Sequence, residues 1–572
     1  MSQLREPPRP SSVFFRVHLW RIAVAVSVAC LCTVASAQAP NERWRTVTTP
    51  HFYVHFPAEL EGVARRAGGS AELAYGKLQP LLRAPKGRID LVVTDHVDYS
   101  NGFAYVSPSP RIVIFARPPV DDRTLRFRDD WLDLVVQHEL VHVFHLDRTR
   151  GWWRAAQAVF GRQPLLFPNA WAPSWMLEGL AVHYESTLGD GGRLEGFAHV
   201  PYANALALDG AFPHLGQWSS ATLAFPGGAS AYVFGSLFMR EMVGRGGAGS
   251  MTTFIERSSA RINPFSFNRD ARRAFGVSFA VQYATWRDSL VAAVRAQGAF
   301  AGRALTGASW YKRAPRVAPD GRLLYVASDG RDVAGLYELS ATLQGPARRL
   351  ARRNSLEPNV ALADGRIAFA QSEWADPWRL RSDLWLREAD GREHMLTHGA
   401  RLFAPDARAR DGALVAVQNV AGTTRLVRVS ADGAVAPITT ASLDTNWSDP
   451  RWSHDGARIA AARWVRGGMM SIVVLDTLGA ERRVLAAARA TLGFPSWTAN
   501  DRAILFAVNN SGTSGIWSAD VATGRLTPAA VASTSLDAPE ATADGYVAVE
   551  TRGDGERLVT SSTFGAPASV TA

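Results

Sequence analysis

Cysteine is almost missing from this chain: its 572 residues hold two, Cys30 and Cys32. Both lie in a segment read below as a leader. The rest of the chain therefore forms no disulfide and offers no thiolate to a metal, so any metal site must use histidine and carboxylate. Long apolar runs are also scarce, and the run from Ile22 to Val34 is too short for a comfortable membrane span. No Gly-x-Ser-x-Gly elbow, Walker loop or dinucleotide fingerprint occurs. Arginines are scattered along the sequence without a recognition motif, which argues against a nucleic-acid partner.

What is present reads as a globular, exported, multidomain protein. The hydrophobic fraction of 47% and charged fraction of 20% are ordinary. Residues 1–39 have the pattern of a signal peptide: Arg16 and Arg21 precede the apolar run, and Ala35-Ser36-Ala37 or Ala37-Gln38-Ala39 supplies a cleavage site. Export to the periplasm or the extracellular space is expected, with no transmembrane segment after cleavage. The leader accounts for three of the ten net positive charges, leaving about seven on the remainder.

Residues 40–300 mix strands and helices in an α+β arrangement. Strands are expected at Phe52 to Phe56, Arg88 to Val93 and Arg111 to Phe115, and a helix from Gly62 to Leu82. Ala296 to Ser309 reads as a linker. Residues 301–572 then repeat a turn-and-strand signature. The turns fall at Asp320, Asp364, Asp411, Asp455, Asp501 and Asp544, at intervals of 44, 47, 44, 46 and 43 residues. That is the period of a four-stranded propeller blade, so an all-β propeller of about six blades is expected. The copies at Ala318 to Val326 and Trp452 to Ala460 resemble TolB-like blades.

His138-Glu139-Leu140-Val141-His142 lies in a helical pattern from about Asp130 to Leu146. A spacing of four puts both imidazoles on one helix face, within reach of one tetrahedral metal. Glu139, about 100° round the helix, is placed as a base beside that metal. Pro173 to Glu185 reads as a second helix with Ser174 as its N-cap. It carries Glu178 among apolar neighbours, 36 residues after His142, where binding a dication would offset the cost of burial.

Together these segments resemble the gluzincin peptidases of the peptidase MA clan, over roughly residues 45–295. The resemblance implies that Glu178, in Trp175-x-x-Glu178-Gly179-x-Ala181, is the third ligand of one zinc ion per chain. It also implies that Tyr232, in a Tyr-x-x-Gly helix, donates to the tetrahedral intermediate; a core tyrosine is the other reading. Asn101, Gly102, Phe103 and Ala104 would form a substrate-binding edge strand above the metal, or else an ordinary hairpin turn. His145 lies a full turn beyond the metal, as packing or as a partner to a ligand. Glu185 either orients a ligand imidazole or is solvated. Val182 stands where thermolysin-type enzymes have an aspartate.

The expected activity is zinc-dependent hydrolysis of peptide bonds. Endopeptidase action is favoured because no Gly-x-Met-Glu-Asn segment is present. The propeller is expected to bind substrate or an envelope partner, so that deleting residues 305–572 alters substrate choice more than hydrolysis of a short peptide. The competing reading is a non-enzymatic envelope scaffold with a structural zinc.

Overall fold

The computed structural model describes residues 42–562 apart from 220, 221, 248, 264, 299, 301 and 511. The expected leader lies outside the described residues. β1 (Trp44–Thr48), β2 (Phe52–Pro57), β3 (Ile89–Thr94), β4 (Gly102–Tyr105) and β5 (Arg111–Phe115) form one sheet in the order β1-β2-β3-β5-β4. β2, β3 and β5 are parallel; β1 and β4 pair antiparallel at the edges. Alternation places Ile89, Leu91 and Val93 on a fully buried face, as a two-residue period requires. The sheet is thus mixed, and its three parallel strands make the region α/β rather than the α+β arrangement expected.

Helices α1 (Glu61–Leu78), α2 (Trp131–Asp147), α3 (Gly151–Phe160), α4 (Ser174–Leu188), α5 (His199–Leu208) and α6 (Ser230–Gly246) follow, then α7 (Ser250–Ser258), α8 (Phe267–Phe275) and α9 (Phe279–Gln297). α2 is apolar on nearly every side and is buried accordingly. Asp130 caps it by accepting from Leu132 N at 2.9 Å, and Trp131 Nε1 pins its start to Phe115 O at 2.9 Å. One expectation at α4 fails. Ser174 is the first helical residue and makes no capping bond; Pro173 occupies the cap.

The repeat folds as six four-stranded antiparallel sheets over residues 311–352, 359–395, 402–437, 445–488, 491–532 and 536–561. The last span supplies only three strands. The fourth is β6 (Arg303–Ala304), which pairs with Val559 and Thr560. The expected linker therefore contains the strand that closes the ring at six blades. The Asp-Gly turns join the first two strands of each blade, with Gly321 and Gly456 in the left-handed region (φ 84° and 66°); Asp501 adopts it without glycine (φ 53°). A second device recurs at the inner strands. Five carry a bulge with a left-handed residue, at Ala314, Ala404, Asp449, Phe494 and Ala538.

The α/β region and the propeller merge into one unit from Trp44 onward. The segment between β5 and α2 joins them by sinking its arginines among the inner strands. Arg123 donates to Asp537 at 2.6 Å and to Glu556 and Tyr202 at 2.9 Å, all buried. Arg126 meets Ser448 and Asp449, and stacks on Phe494 at 4.4 Å. Removing one member of such a buried ion set costs about 3–5 kcal/mol, because its partners stay desolvated and unpaired. Arg123→Ala is expected to lower stability by that amount, read as a shift in the urea midpoint. Deletion of residues 305–572 removes the same partners and bares this segment to solvent, so the expected effect on substrate choice is to be read beside the unfolding midpoint of the shortened chain.

Candidate metal centre

Each functional side chain is delivered by a buried helix. α2 brings His138, Glu139 and His142; α4 brings Glu178 and Glu185; α6 brings Tyr232. Gln137 Nε2 ties α2 to α4 through Tyr184 O at 2.7 Å. Two glycines set the spacing of α4 and α6. A Cβ at Gly179 would lie 2.4 Å from the Gly235 backbone, and one at Gly235 would lie 2.3 Å from Trp175 O. The glycines next to Glu178 and one turn after Tyr232 thus let the two backbones touch.

The donor atoms form a triangle. His138 Nε2 and His142 Nε2 are 3.2 Å apart, and each is 3.3 Å from Glu178 Oε2. A tetrahedral ion with bonds of ~2.0 Å has edges of ~3.3 Å, so the triangle has the size of one face of a zinc coordination shell. Glu178 Oε2 is buried and has no hydrogen-bond partner, as a ligand atom should be before its ion is added. Among the described residues, these three are the group able to hold a metal. His138 and His142 hold the Glu178 carboxyl well below the ordinary range, against the opposing effect of burial.

Glu185 orients His138. Its Oε2 lies 2.7 Å from His138 Nδ1, and Arg193 clamps both carboxylate oxygens at 2.8 Å. Burial alone would raise the Glu185 carboxyl, but Arg193 and His138 bring it down to about 2. As an ionised acceptor it fixes the proton on Nδ1 and leaves the Nε2 lone pair facing the triangle. Arg193 Nη2 also stands 2.7 Å from Nδ1; since both are donors, Glu185 Oε2 is the acceptor they share. Glu185→Gln is expected to weaken metal affinity about 10–100-fold, measured by competition with a chromophoric chelator.

Glu139 is buried, and burial pushes its carboxyl up against the pull of His138 and His142. The Tyr232 ring centroid is 6.4 Å from that of His138, and Arg193 sits 5.4 Å from the phenol ring. Burial, reinforced by Glu178, raises the phenol so that it stays a donor. A cavity of about 590 Å³ joins these groups. Asn101, Gly102, Phe103 and Ala104 line it, and the last three belong to β4, an edge strand rather than a hairpin turn. A Cβ on Gly102 would meet Val135 Cγ2 at 2.6 Å and Glu139 Oε1 at 2.8 Å, so glycine lets the strand lie on α2. Asp122, Thr124 and Leu125, from the arginine-bearing segment, form another part of the wall.

His145 is packing. Its ring is buried, its Nδ1 has no partner, burial lowers it to about 3, and no hydrogen bond joins it to a ligand. Two residues of the site escaped the sequence reading. Arg193 lies in a short 3-10 turn, Gly192–Glu195, and His199 opens α5. His199 lines the cavity with both ring nitrogens unpartnered, and burial beside Arg193 lowers it to about 3. Neither residue stands in a motif.

No protein-family profile matches the chain, and no curated protein matches it. Among solved structures, the chain is similar to the putative TolB from Agrobacterium tumefaciens: 16% identity over 44% of this chain and 91% of that one, with a TM-score of 0.33. TolB from Acinetobacter baumannii gives 16% identity, 46% and 63% coverage, and a TM-score of 0.28. A structure of two prolyl endopeptidases gives 14% identity, 51% and 47% coverage, and a TM-score of 0.32. The propeller and the chemistry of the site are read from this chain's own strands and side chains.

Proposed function

We propose that this chain is an exported zinc-dependent peptidase of the gluzincin type, acting as an endopeptidase. The observation that carries the reading is the donor triangle of His138, His142 and Glu178 with the buried Glu139 next in sequence on the same helix, all opening on one cavity. A zinc ion held there supplies Lewis acidity and brings a water's pKa toward neutrality. β4 pairs only with β5 among the described strands, so its other edge is free to align an extended peptide. Glu139 takes the proton of the attacking water and returns it to the leaving nitrogen. Tyr232 donates to the developing oxyanion.

A structural zinc in a non-enzymatic scaffold accounts less well for Glu139, because a closed structural site has no use for a base opening on a cavity. The test is a cleavage assay on an unfolded protein substrate, with chelation, zinc restoration and a Glu139→Gln control. Zinc-loaded protein that cleaves nothing across a broad substrate library would sink the reading.

A further inference from the structure

Arginines scattered in the sequence are gathered by the fold. Residues 148–177 and 257–287 hold ten arginines and one carboxylate, the buried Asp270; at their borders Asp147 pairs with Arg162, Glu256 with Arg148 and Arg150, and Asp288 with Arg287. The segments adjoin: Trp153 Nε1 donates to Arg261 O at 2.6 Å, and Arg150 N to Ser259 O at 2.9 Å. On this face α3 has an apolar outer surface. Ala156 is buried and Trp153 and Gln157 pack inward, while Trp152, Val159 and Phe160 face outward. Leu165, Ile262 and Phe265 extend the patch, and all six are at least 61% exposed. Arg154 on α3 and Arg272 and Arg273 on α8 are exposed.

We propose that this face docks on a bilayer carrying anionic phospholipid. An ordinary surface helix turns its polar side outward; this one exposes apolar side chains together with Arg154. Apolar side chains that protrude this far suit insertion between headgroups, while the exposed Arg154, Arg272 and Arg273 meet lipid phosphates. Ser107 Oγ donates to Arg162 O at 2.6 Å, and Arg162 Nε donates to Pro108 O at 3.1 Å. These bonds tie the chain after α3 to the turn after β4, so docking brings the cavity rim close to the membrane. The proposal does not rest on hydrolytic activity.

The test uses the chain as recovered from exporting cells, sedimented with phosphatidylcholine vesicles with or without about one-third phosphatidylglycerol. Binding to the anionic vesicles is expected, weakening as salt rises. Arg154→Glu/Arg272→Glu/Arg273→Glu should weaken it on the order of a hundredfold. Trp152→Ser/Phe160→Ser should weaken it about tenfold or more, with an unchanged unfolding midpoint because the side chains are exposed. A polarity-sensitive dye on Val159→Cys should shift to the blue on anionic vesicles. Equal binding of wild type and both variants would overturn the proposal. So would a dimer abolished by Phe160→Ser without vesicle binding, or capture of an acidic protein with no dye shift on vesicles.

Discussion

Glu139→Gln is expected to keep its metal and lose hydrolysis. The amide fills the same space beside Gly102 and Val135, so α2 and β4 stay in register, and the donor triangle is untouched. What changes is that the amide cannot accept a proton. A positioned general base contributes about 10²–10⁴ in rate, and kcat should fall by that factor. The buried environment of Glu139 suits the task, because it raises the carboxyl's basicity. Metal content by mass spectrometry should match wild type. Peptide cleavage at the wild-type rate would remove Glu139 from the mechanism. Loss of metal together with activity would make it a ligand instead.

The parts of this site that were legible in the sequence obey a local period or a strong cost. His138 and His142 share a helix face because four residues make about one turn, and Glu178 stands out as a carboxylate in an apolar helix. Gly179 and Gly235 were visible as letters of two patterns, but their reason, contact between two helix backbones, exists only in three dimensions. Arg193 and His199 were illegible: each reaches the site from a turn or helix start with no periodicity to mark it. The closing strand β6 was read as linker because two residues of strand cannot be told from coil without their partners. Arg123 and Arg126 stand in no motif, and their acidic partners in the propeller lie more than 300 residues away. A repeat period can announce a propeller, but it cannot say what fills its axis.

Glu178→Gln should produce the opposite signature from Glu139→Gln, with the metal lost first and activity only as a consequence. The substitution leaves two imidazole nitrogens 3.2 Å apart with a neutral amide in place of their anion. Removing one partner from a buried charged set costs about 3–5 kcal/mol, which corresponds to about two to four decades in the metal dissociation constant. The change in Glu185→Gln is smaller, since that residue reaches the metal only through the orientation of His138. The three carboxylates around the histidines thus divide by measurement. Metal affinity is unchanged for Glu139, modestly reduced for Glu185 and severely reduced for Glu178, and excess zinc restores cleavage to the Glu185 variant but never to the Glu139 one. If Glu178→Gln binds zinc as tightly as wild type, the triangle is not a coordination site, and the peptidase reading falls with it.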